Sequence, residues 1–408
     1  MVIKKYAIYS YLFILSYIGY PLVATITQLL SINNTNASVL LRAIVLLLAI
    51  SSLIKLTVAN IRGIVKLTIL ASLCLWFLYF SRILLATAFD PQQLVHGAAY
   101  YWIWGAGTCL IPMLAIIFSR QSGYLDYFKL FKLTYFTSLT ICILILINIA
   151  SQGLSSLIFN GRLQLDALNP ISLAHVAAVC TILGIYYVVN LKPKTNRGIN
   201  YGLGLLSIII GISLLILTGS RGPMLATVIT VIFFLVSISL VKSIKYLAIS
   251  VIFVILSFPI ISSLLIDSDI STLNRINGAV ENNDGGVSGR YDAYKAAWDI
   301  FLNNPIIGDT ITEPVLRTYP HNIILESLMA TGVLGFIAIA SLIIGCIYLA
   351  WGIARRRDDG AWISLLFIEA LIGAMFSGAI YSVSMFWVTF AMVVGYSKTI
   401  LITKERLF

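Results

Sequence analysis

The chain has 408 residues, of which 60% are hydrophobic and only 11% charged, and its mean hydropathy is +0.98. A soluble domain is about half apolar and about a quarter charged, so this composition excludes a water-soluble globular protein. The net charge of +11 could indicate a nucleic-acid partner. In membrane proteins, however, basic residues mark the cytoplasmic loops. We therefore predict an integral membrane protein that binds no nucleic acid.

The hydrophobic runs are long enough to cross a bilayer, which takes about 20 apolar residues per helix. Lipid offers no hydrogen-bond partners, so each run must be a helix that satisfies its own backbone. We predict an all-α, polytopic membrane protein that forms one membrane domain over residues 1–408. The twelve predicted spans are 7–29, 38–54, 67–88, 98–118, 134–150, 168–190, 201–218, 222–241, 246–266, 322–350, 361–384 and 385–401.

The basic residues predict the orientation of the spans. With both termini in the cytoplasm, 19 of the 27 lysine and arginine residues fall on the cytoplasmic side, as the positive-inside rule requires. The other eight lie outside or near the outer end of a span: Arg42, Arg82, Arg162, Arg221, Arg275, Arg290, Lys295 and Arg317. Seven of these are arginine, whose planar fork of donors suits phosphate or carboxylate. We predict an anionic ligand on this face, the alternative being pairing with outer acidic residues such as Asp90.

One loop, residues 267–321 between the ninth and tenth predicted spans, is far longer than the others. Loops of this length are usually functional or disordered. Tyr291, Tyr294, Trp298 and Phe301 recur at helical spacing, which predicts a short amphipathic helix with Arg290 in its first turn. The loop is predicted to lie on the extracytoplasmic side.

The turn Thr218-Gly-Ser-Arg-Gly-Pro223 joins the seventh and eighth spans. A helix N-terminus offers free backbone N–H groups and a positive dipole end, which together bind anions. Proline suits the first helical position, so we place Pro223 there, with Ser220 or Gly222 as the cap. Arg221 would add a full charge to this phosphate site, although a short turn also needs glycine for its backbone alone.

Two titratable residues stand near or within the predicted spans of the second half. His321 opens the tenth span, and its neutral imidazole could accept a proton near pH 7, or it could be a plain interface residue. His96 and His175 are weaker candidates. Glu369 lies alone near the middle of the eleventh span and must face the bundle interior, as a structural group or in a polar cavity.

Three segments together resemble the O-antigen ligase and O-antigen polymerase superfamily. They are Gly219-Ser-Arg-Gly222, the loop pattern Gly289-Arg-Tyr…Ala297-Trp298…Asn304-Pro-Ile-Ile-Gly308, and His321-Asn322 followed by Gly332-Val-Leu-Gly335. The resemblance covers about residues 205–345. It implies a GT-C-like glycosyltransferase of the bacterial inner membrane that uses undecaprenyl-diphosphate-linked glycans on the periplasmic side, with no metal and no cofactor.

The resemblance also implies roles for individual residues. Arg221 and Arg290 would bind the donor diphosphate and stabilise the charge on the leaving group, and His321 would orient or deprotonate the acceptor hydroxyl. Asn322 and Tyr291, which stand in these motifs, join the substrate-binding set, as does Glu326, one turn after His321. Charge and side of the membrane add Arg317, Arg162 and Arg82 to it.

We predict a polymerase, whose acceptor is another lipid-linked repeat and which could work with a chain-length regulator. The alternative is a ligase, whose acceptor is lipid A–core. A third reading is a lipid-linked oligosaccharide flippase. Transporters of that kind bind substrate near the midplane and often show internal repeats. Here the charges avoid the midplane except for Glu369, and the two halves show no evident repeat.

Overall fold

The computed structural model describes residues 3–54, 61–119, 125–159, 161–190, 197–238 and 285–405. The predicted ninth span, 246–266, and the first part of the large loop, 267–284, lie outside these residues, as does Arg275. Within the described ranges the only sheet is a hairpin of two-residue strands, β1 (Ile158–Phe159) and β2 (Arg162–Leu163). The all-α fold predicted from the sequence is confirmed.

Helices account for most of the described chain. In chain order they are α1 (Ile3–Tyr17), α2 (Gly19–Leu29), α3 (Asn34–Leu53), α4 (Gly63–Phe89), α5 (Ala98–Trp102) continued by a π-helical stretch (Ile103–Leu110), α6 (Ile111–Phe118), α7 (Tyr127–Gln152), α8 (Leu154–Leu157), α9 (Pro170–Asn190), α10 (Arg197–Thr218), α11 (Arg221–Ile238), α12 (Gly285–Asn303), α13 (Ile323–Arg356), α14 (Ala361–Ser377) and α15 (Ser384–Glu405). The predicted amphipathic helix of the large loop is α12, but it begins earlier than predicted, which places Arg290 in its second turn rather than its first.

Eight helices of the described chain are long and apolar enough to cross a membrane, or nine if α1 and α2 count as one bent span. The predicted number of twelve stays a prediction. Large apolar side chains cover the outer faces of these helices: Phe77 of α4, for example, is 72% exposed and Ile344 of α13 is 68% exposed. Lipid is the solvent in which such surfaces are stable.

The first predicted span is broken into two helices. α1 and α2 meet at an angle of 67° between Tyr17 and Gly19. Pro21 explains the break, because it has no N–H to donate and its ring clashes with the carbonyl four residues earlier, at Tyr17. Gly19 allows a close approach to α3, where a Cβ at this position would stand 3.2 Å from Leu41 Cδ1. Hydropathy indicates the span but not this bend.

Contacts between helices that are far apart in the sequence show which helix termini lie together at each end of the bundle. At one end, Lys398 Nζ donates to the Ile117 carbonyl over 3.4 Å and the rings of Tyr127 and Tyr396 lie 4.4 Å apart. The other end holds described arginines that were predicted to lie outside. Arg82 reaches the large loop there, and Arg162 reaches the turn before α11. We call this second end the arginine end.

A kink in α13 joins two of the segments singled out in the sequence. Gly332 has φ +65° inside the helix, and Val333 N–H there donates to the Pro305 carbonyl over 2.8 Å. Asp309 N–H donates to the Met329 carbonyl, also over 2.8 Å. The backbones are so close that a Cβ on Gly332 would lie 2.4 Å from the Ile306 carbonyl oxygen. The segment 304–309 is therefore fixed to α13 next to the arginine end.

Candidate functional site

His321 lies on a backbone turn immediately before α13. Its φ is +53°, in the left-handed region that costs about 1 kcal/mol or more for a residue with a side chain. Asn322 helps to fix this turn, because its Oδ1 accepts from the N–H groups of Ile324 and Leu325 over 2.9 and 3.1 Å, which caps the helix. The His321 ring packs 4.4 Å from the ring of Tyr319.

Arg290 of α12 acts electrostatically on this histidine. Burial, and after it the positive charge of Arg290, lower the pKa of His321 below 6.5. Burial raises the pKa of Tyr319 to about 12, and Arg290 opposes this rise. The structure thus brings together two of the three predicted catalytic residues. At neutral pH the imidazole is uncharged and can accept a proton.

The third predicted catalytic residue, Arg221, is the first residue of α11. Gly219 has φ +56°, and the buried Ser220 directly precedes the helix, in the position predicted for a cap. Pro223 is the third helical residue, so its prediction as the first was two residues off. Gly222 brings the start of α11 close to the end of α14, where a Cβ would stand 3.2 Å from Phe376 Cβ.

Arg162 is held against this same turn. Its Nε donates to the Thr218 carbonyl over 3.0 Å, and its Nη2 donates to Ser220 Oγ over 2.7 Å. The β1–β2 hairpin positions Arg162 for these bonds. Ser220 Oγ in turn donates to the carbonyl of Pro170, the first residue of α9, over 3.0 Å. Two guanidinium groups, those of Arg162 and Arg221, therefore belong to one turn at the start of α11.

A cavity of about 500 Å³ lies between the turn that carries His321 and the start of α9. His321 and Tyr319 line it on one side. Asn169, Ile171 and Ser172 line it on another, and they flank the proline to which the Arg162–Arg221 turn is bonded. The cavity is therefore bordered by the predicted base and lies close to Arg162 and Arg221, both of which were predicted to bind the donor substrate.

Arg82 has contacts that the sequence did not predict. Its Nε donates to the Ala330 carbonyl over 2.9 Å, and its Nη2 donates to the carbonyls of Ile307 and Gly308 over 2.7 Å each. These carbonyls belong to the two partners of the junction, Ala330 to α13 and the other two to residues 304–309. Arg82 therefore ties α4 to that junction, and the contacts of the described residues do not join it to His321.

Glu326 is fully buried in the first turn of α13. One carboxylate oxygen accepts from the Tyr79 hydroxyl over 2.5 Å, and the other accepts from the Ile380 N–H over 2.8 Å. With both oxygens engaged, Glu326 connects α13 to α4 and to the loop between α14 and α15. This geometry fits a positioning group better than the substrate contact that the sequence predicted.

Arg317 and Tyr291 stand at the surface of the loop region. Arg317 is exposed with φ +53°, and Tyr291 of α12 is 67% exposed. Neither side chain lines the cavity. Their predicted substrate-binding roles stay predictions.

Sequence reasoning did not anticipate the partner of Glu369. His175 of α9 lies against it, with Nδ1 2.5 Å from Glu369 Oε1. The two residues are 194 positions apart, so only the packing of α9 on α14 could reveal the pair. Among the described residues, no group of three or more His, Cys, Asp or Glu side chains could hold a metal ion.

Part of this site lies in a segment that is similar to a known protein family. No curated protein matches the chain. Residues 205–340 match a family model described as O-Antigen ligase (Wzy_C). This segment contains α11, α12, the segment fixed at the α13 kink and His321, while Arg82 and Arg162 lie outside it. The match confirms the resemblance of the chain to the O-antigen ligase and O-antigen polymerase superfamily, which comprises membrane enzymes of the glycosyltransferase kind.

Proposed function

We propose that the protein is an O-antigen polymerase that transfers a glycan from a polyprenyl diphosphate to a hydroxyl of a second lipid-linked glycan. The family match over residues 205–340 supports transfer of this kind. The observation that carries the proposal is the position of His321 at a cavity beside the Arg162–Arg221 turn, with Arg290 near enough for its charge to lower the pKa of His321. A cationic site for the diphosphate and a base for the hydroxyl then stand at one end of the bundle.

In this proposal the arginines hold the leaving group. Guanidinium groups donate pairs of hydrogen bonds that match phosphate oxygens, and they keep their charge at all working pH values. Arg221 and Arg290 bind the diphosphate, and Arg162 supports the same turn. Donors fixed before the reaction stabilise the charge that develops as the sugar–phosphate bond breaks.

His321 acts on the other reactant. The acceptor oxygen attacks the anomeric carbon of the donor, and the bond from that carbon to the phosphate oxygen breaks. The electron pair leaves with the lipid diphosphate, and the hydroxyl proton passes to the imidazole of His321. Because Arg290 and burial disfavour the imidazolium, the histidine is available as a base before the reaction and releases its proton readily afterwards.

The proposal places the arginine end in the periplasm of a bacterial inner membrane, with both termini in the cytoplasm. Lipid-linked glycans would enter laterally between helices, with their sugars at the arginine end. The basic residues that cluster at the opposite end, among them Lys398 and Arg355 to Arg357, fit a cytoplasmic face.

The first test removes the diphosphate contact. In purified protein, Arg290→Ala should lower the release of undecaprenyl diphosphate from its glycan-linked form by about a hundredfold or more, in line with the loss of one preorganised donor. Lys295→Ala is the matched control, because Lys295 is an exposed cation on the same helix. Equal rates in the Arg290 and Lys295 variants would remove Arg290 from the mechanism.

A second test identifies the acceptor. Deletion of the gene should leave lipopolysaccharide whose core carries a single repeat, which is the product expected without a polymerase. A bare core with polymer still on the carrier lipid would instead identify the ligase reaction. Movement of intact donor across the bilayer, without release of lipid diphosphate, would identify a transporter.

A further inference from the structure

The cavity beneath His321 continues into the bundle and ends at polar groups that the proposed mechanism does not use. Ser16 and Tyr17, at the break between α1 and α2, line it together with His175 of α9. His175 is five residues into its helix, which places it about 8 Å below the arginine end at 1.5 Å per residue. Breaks in membrane helices leave backbone groups that bind polar substrates in transporters.

His175 is held in one orientation. Its Nδ1 lies 2.5 Å from Oε1 of Glu369, which is fully buried. The ring also packs against the backbone of α14, where a Cβ on Gly373 would stand 2.3 Å from Cε1. Because Nδ1 is used by Glu369, Nε2 is the nitrogen left to bind a ligand in the cavity.

Three buried oxygen atoms around this pair have no hydrogen-bond partner among the described residues. They are the hydroxyls of Ser16 and Tyr17 and Oε2 of Glu369. Tyr17 is only 2% exposed. A buried polar group without a partner costs about 1–3 kcal/mol. Ser16 and Tyr17 line the cavity, so a ligand that carries several hydroxyl groups could both donate to and accept from this floor.

Arg42 of α3 adds a charged donor to the cavity wall. Its guanidinium carbon lies 4.3 Å from the ring centroid of Trp104, and both residues line the cavity. No hydrogen bond or ion pair joins Arg42 to another described residue. The volume of about 500 Å³ falls within the range of pockets that hold small organic ligands.

We propose that this cavity is the subsite for the acceptor sugar, which Arg42 and Trp104 bind at the wall and His175 and Tyr17 bind at the floor. The inference rests on the proposed function, because it assigns His321 as the base. A base must contact the hydroxyl that it deprotonates, and His321 lines this cavity, so the sugar inside it is the acceptor rather than the donor.

The subsite is built largely outside the family-matched segment. The helices α1, α2, α3 and α9 all precede residue 205, whereas Arg221, Arg290 and His321 lie within residues 205–340. In this assignment the family-matched segment binds the diphosphate and supplies the base. The preceding helices, together with α14 and the residues that follow it, determine which sugar is accepted.

Two probes separate the acceptor subsite from the diphosphate site. The first is the repeat-unit oligosaccharide, released by mild acid from the lipid-linked glycan of the deletion strain, which has sugars but no diphosphate. The second is undecaprenyl diphosphate, which has no sugar. Binding of each to the full-length protein in nanodiscs is measured by saturation-transfer NMR for the oligosaccharide and by thermal stabilisation for the lipid.

His175→Ala and Ser172→Phe should each weaken oligosaccharide binding by about tenfold or more, which corresponds to the loss of one hydrogen bond or of cavity space. Both should keep undecaprenyl diphosphate binding. His96→Ala is the control, because this histidine lies at the arginine end without lining the cavity. Ser172→Phe leaves the His175–Glu369 pair intact, so it decides the matter if His175→Ala fails to fold.

Wild-type protein that binds no oligosaccharide, or Ser172→Phe protein that binds it normally, would overturn the subsite. Failure of the proposed function has a different signature. In that case wild-type protein would not bind undecaprenyl diphosphate, or Arg221→Ala would bind it as well as wild type does.

Discussion

At the scale of single residues, the central feature is a histidine whose charge is suppressed by its surroundings. His321 is half-buried beside Arg290, and both burial and that charge lower its pKa below 6.5. The residue could be found from the sequence because it follows a proline at the start of a span. Its left-handed backbone and its proximity to Arg290 could not, because both depend on how residues 304–322 fold back onto α13.

The lowered pKa of His321 predicts how the rate of transfer depends on pH. The neutral imidazole is the active form, so activity should be highest toward pH 8 and fall in acid with a midpoint below 6.5, because burial and Arg290 lower the pKa of His321. The rate of undecaprenyl diphosphate release from its glycan-linked form, measured between pH 5 and 8, gives the midpoint. His321→Gln should lower the rate by about 10²–10⁴-fold.

His96→Gln is the control for this experiment and should keep both the rate and the pH profile. An acid midpoint above 6.5 would mean that Arg290 and burial do not govern the titrating group. A normal rate in His321→Gln would remove His321 as the base.

Other residues at this end acquired structural roles that a motif could not disclose. Arg82 was grouped with the substrate-binding arginines by its charge and position, yet its guanidinium binds three backbone carbonyls at the α13 kink. Glu326 was grouped with them by its position one turn after His321, yet Tyr79 and Ile380 engage both of its oxygens. Sequence predicts the side of the membrane for such residues but not their partners.

At the scale of elements, the junction between residues 304–309 and the α13 kink determines where His321 stands. Gly308 and Gly332 both have positive φ. A Cβ on Gly308 would collide with the backbone of Ala330, and a Cβ on Gly332 would collide with the backbone of Ile306, so neither position has room for a side chain. The sequence singled out both glycines as parts of separate motifs. The structure shows that they form one junction, a contact that hydropathy and spacing do not specify.

Gly332→Ala should therefore destabilise the protein. An alanine there would need φ +65° with ψ −157°, a backbone region essentially confined to glycine that costs about 1–3 kcal/mol, and its Cβ would also collide with the Ile306 carbonyl. We expect a loss of at least about 2 kcal/mol in the free energy of unfolding, together with a loss of transfer activity as residues 304–309 shift. Thermal unfolding of the purified protein in detergent measures the first effect.

Gly352→Ala is the matched control, since Gly352 lies in the same helix and a Cβ there meets no atom within 4 Å. Replacing a helical glycine by alanine favours the helix by about 0.5–1 kcal/mol, so this variant should be as stable as wild type or more so. Equal stability of the two alanine variants would show that the junction does not constrain Gly332.

At the scale of the whole molecule, composition was enough to predict an all-α membrane protein, because no aqueous fold could cover its apolar surface. The lysine and arginine distribution was enough to predict which helix ends share a side, and the contacts at the two ends of the bundle agree with that grouping. The break at Tyr17 and the His175–Glu369 pair were not predictable, because hydropathy says where a helix lies and not which of its faces meets another helix.

The orientation of the bundle in the membrane leads to the final prediction. Val315 is 85% exposed in the loop that precedes His321, and Arg356 is exposed at the opposite end of α13. A membrane-impermeant maleimide applied to cells with a permeable outer membrane should label Val315→Cys but not Arg356→Cys. Arg356→Cys should react only after the inner membrane is opened, and unmodified protein measures the background from the five native cysteines. The reverse pattern would place the arginines and His321 in the cytoplasm, away from glycans displayed on the periplasmic face, and the polymerase proposal would then be wrong.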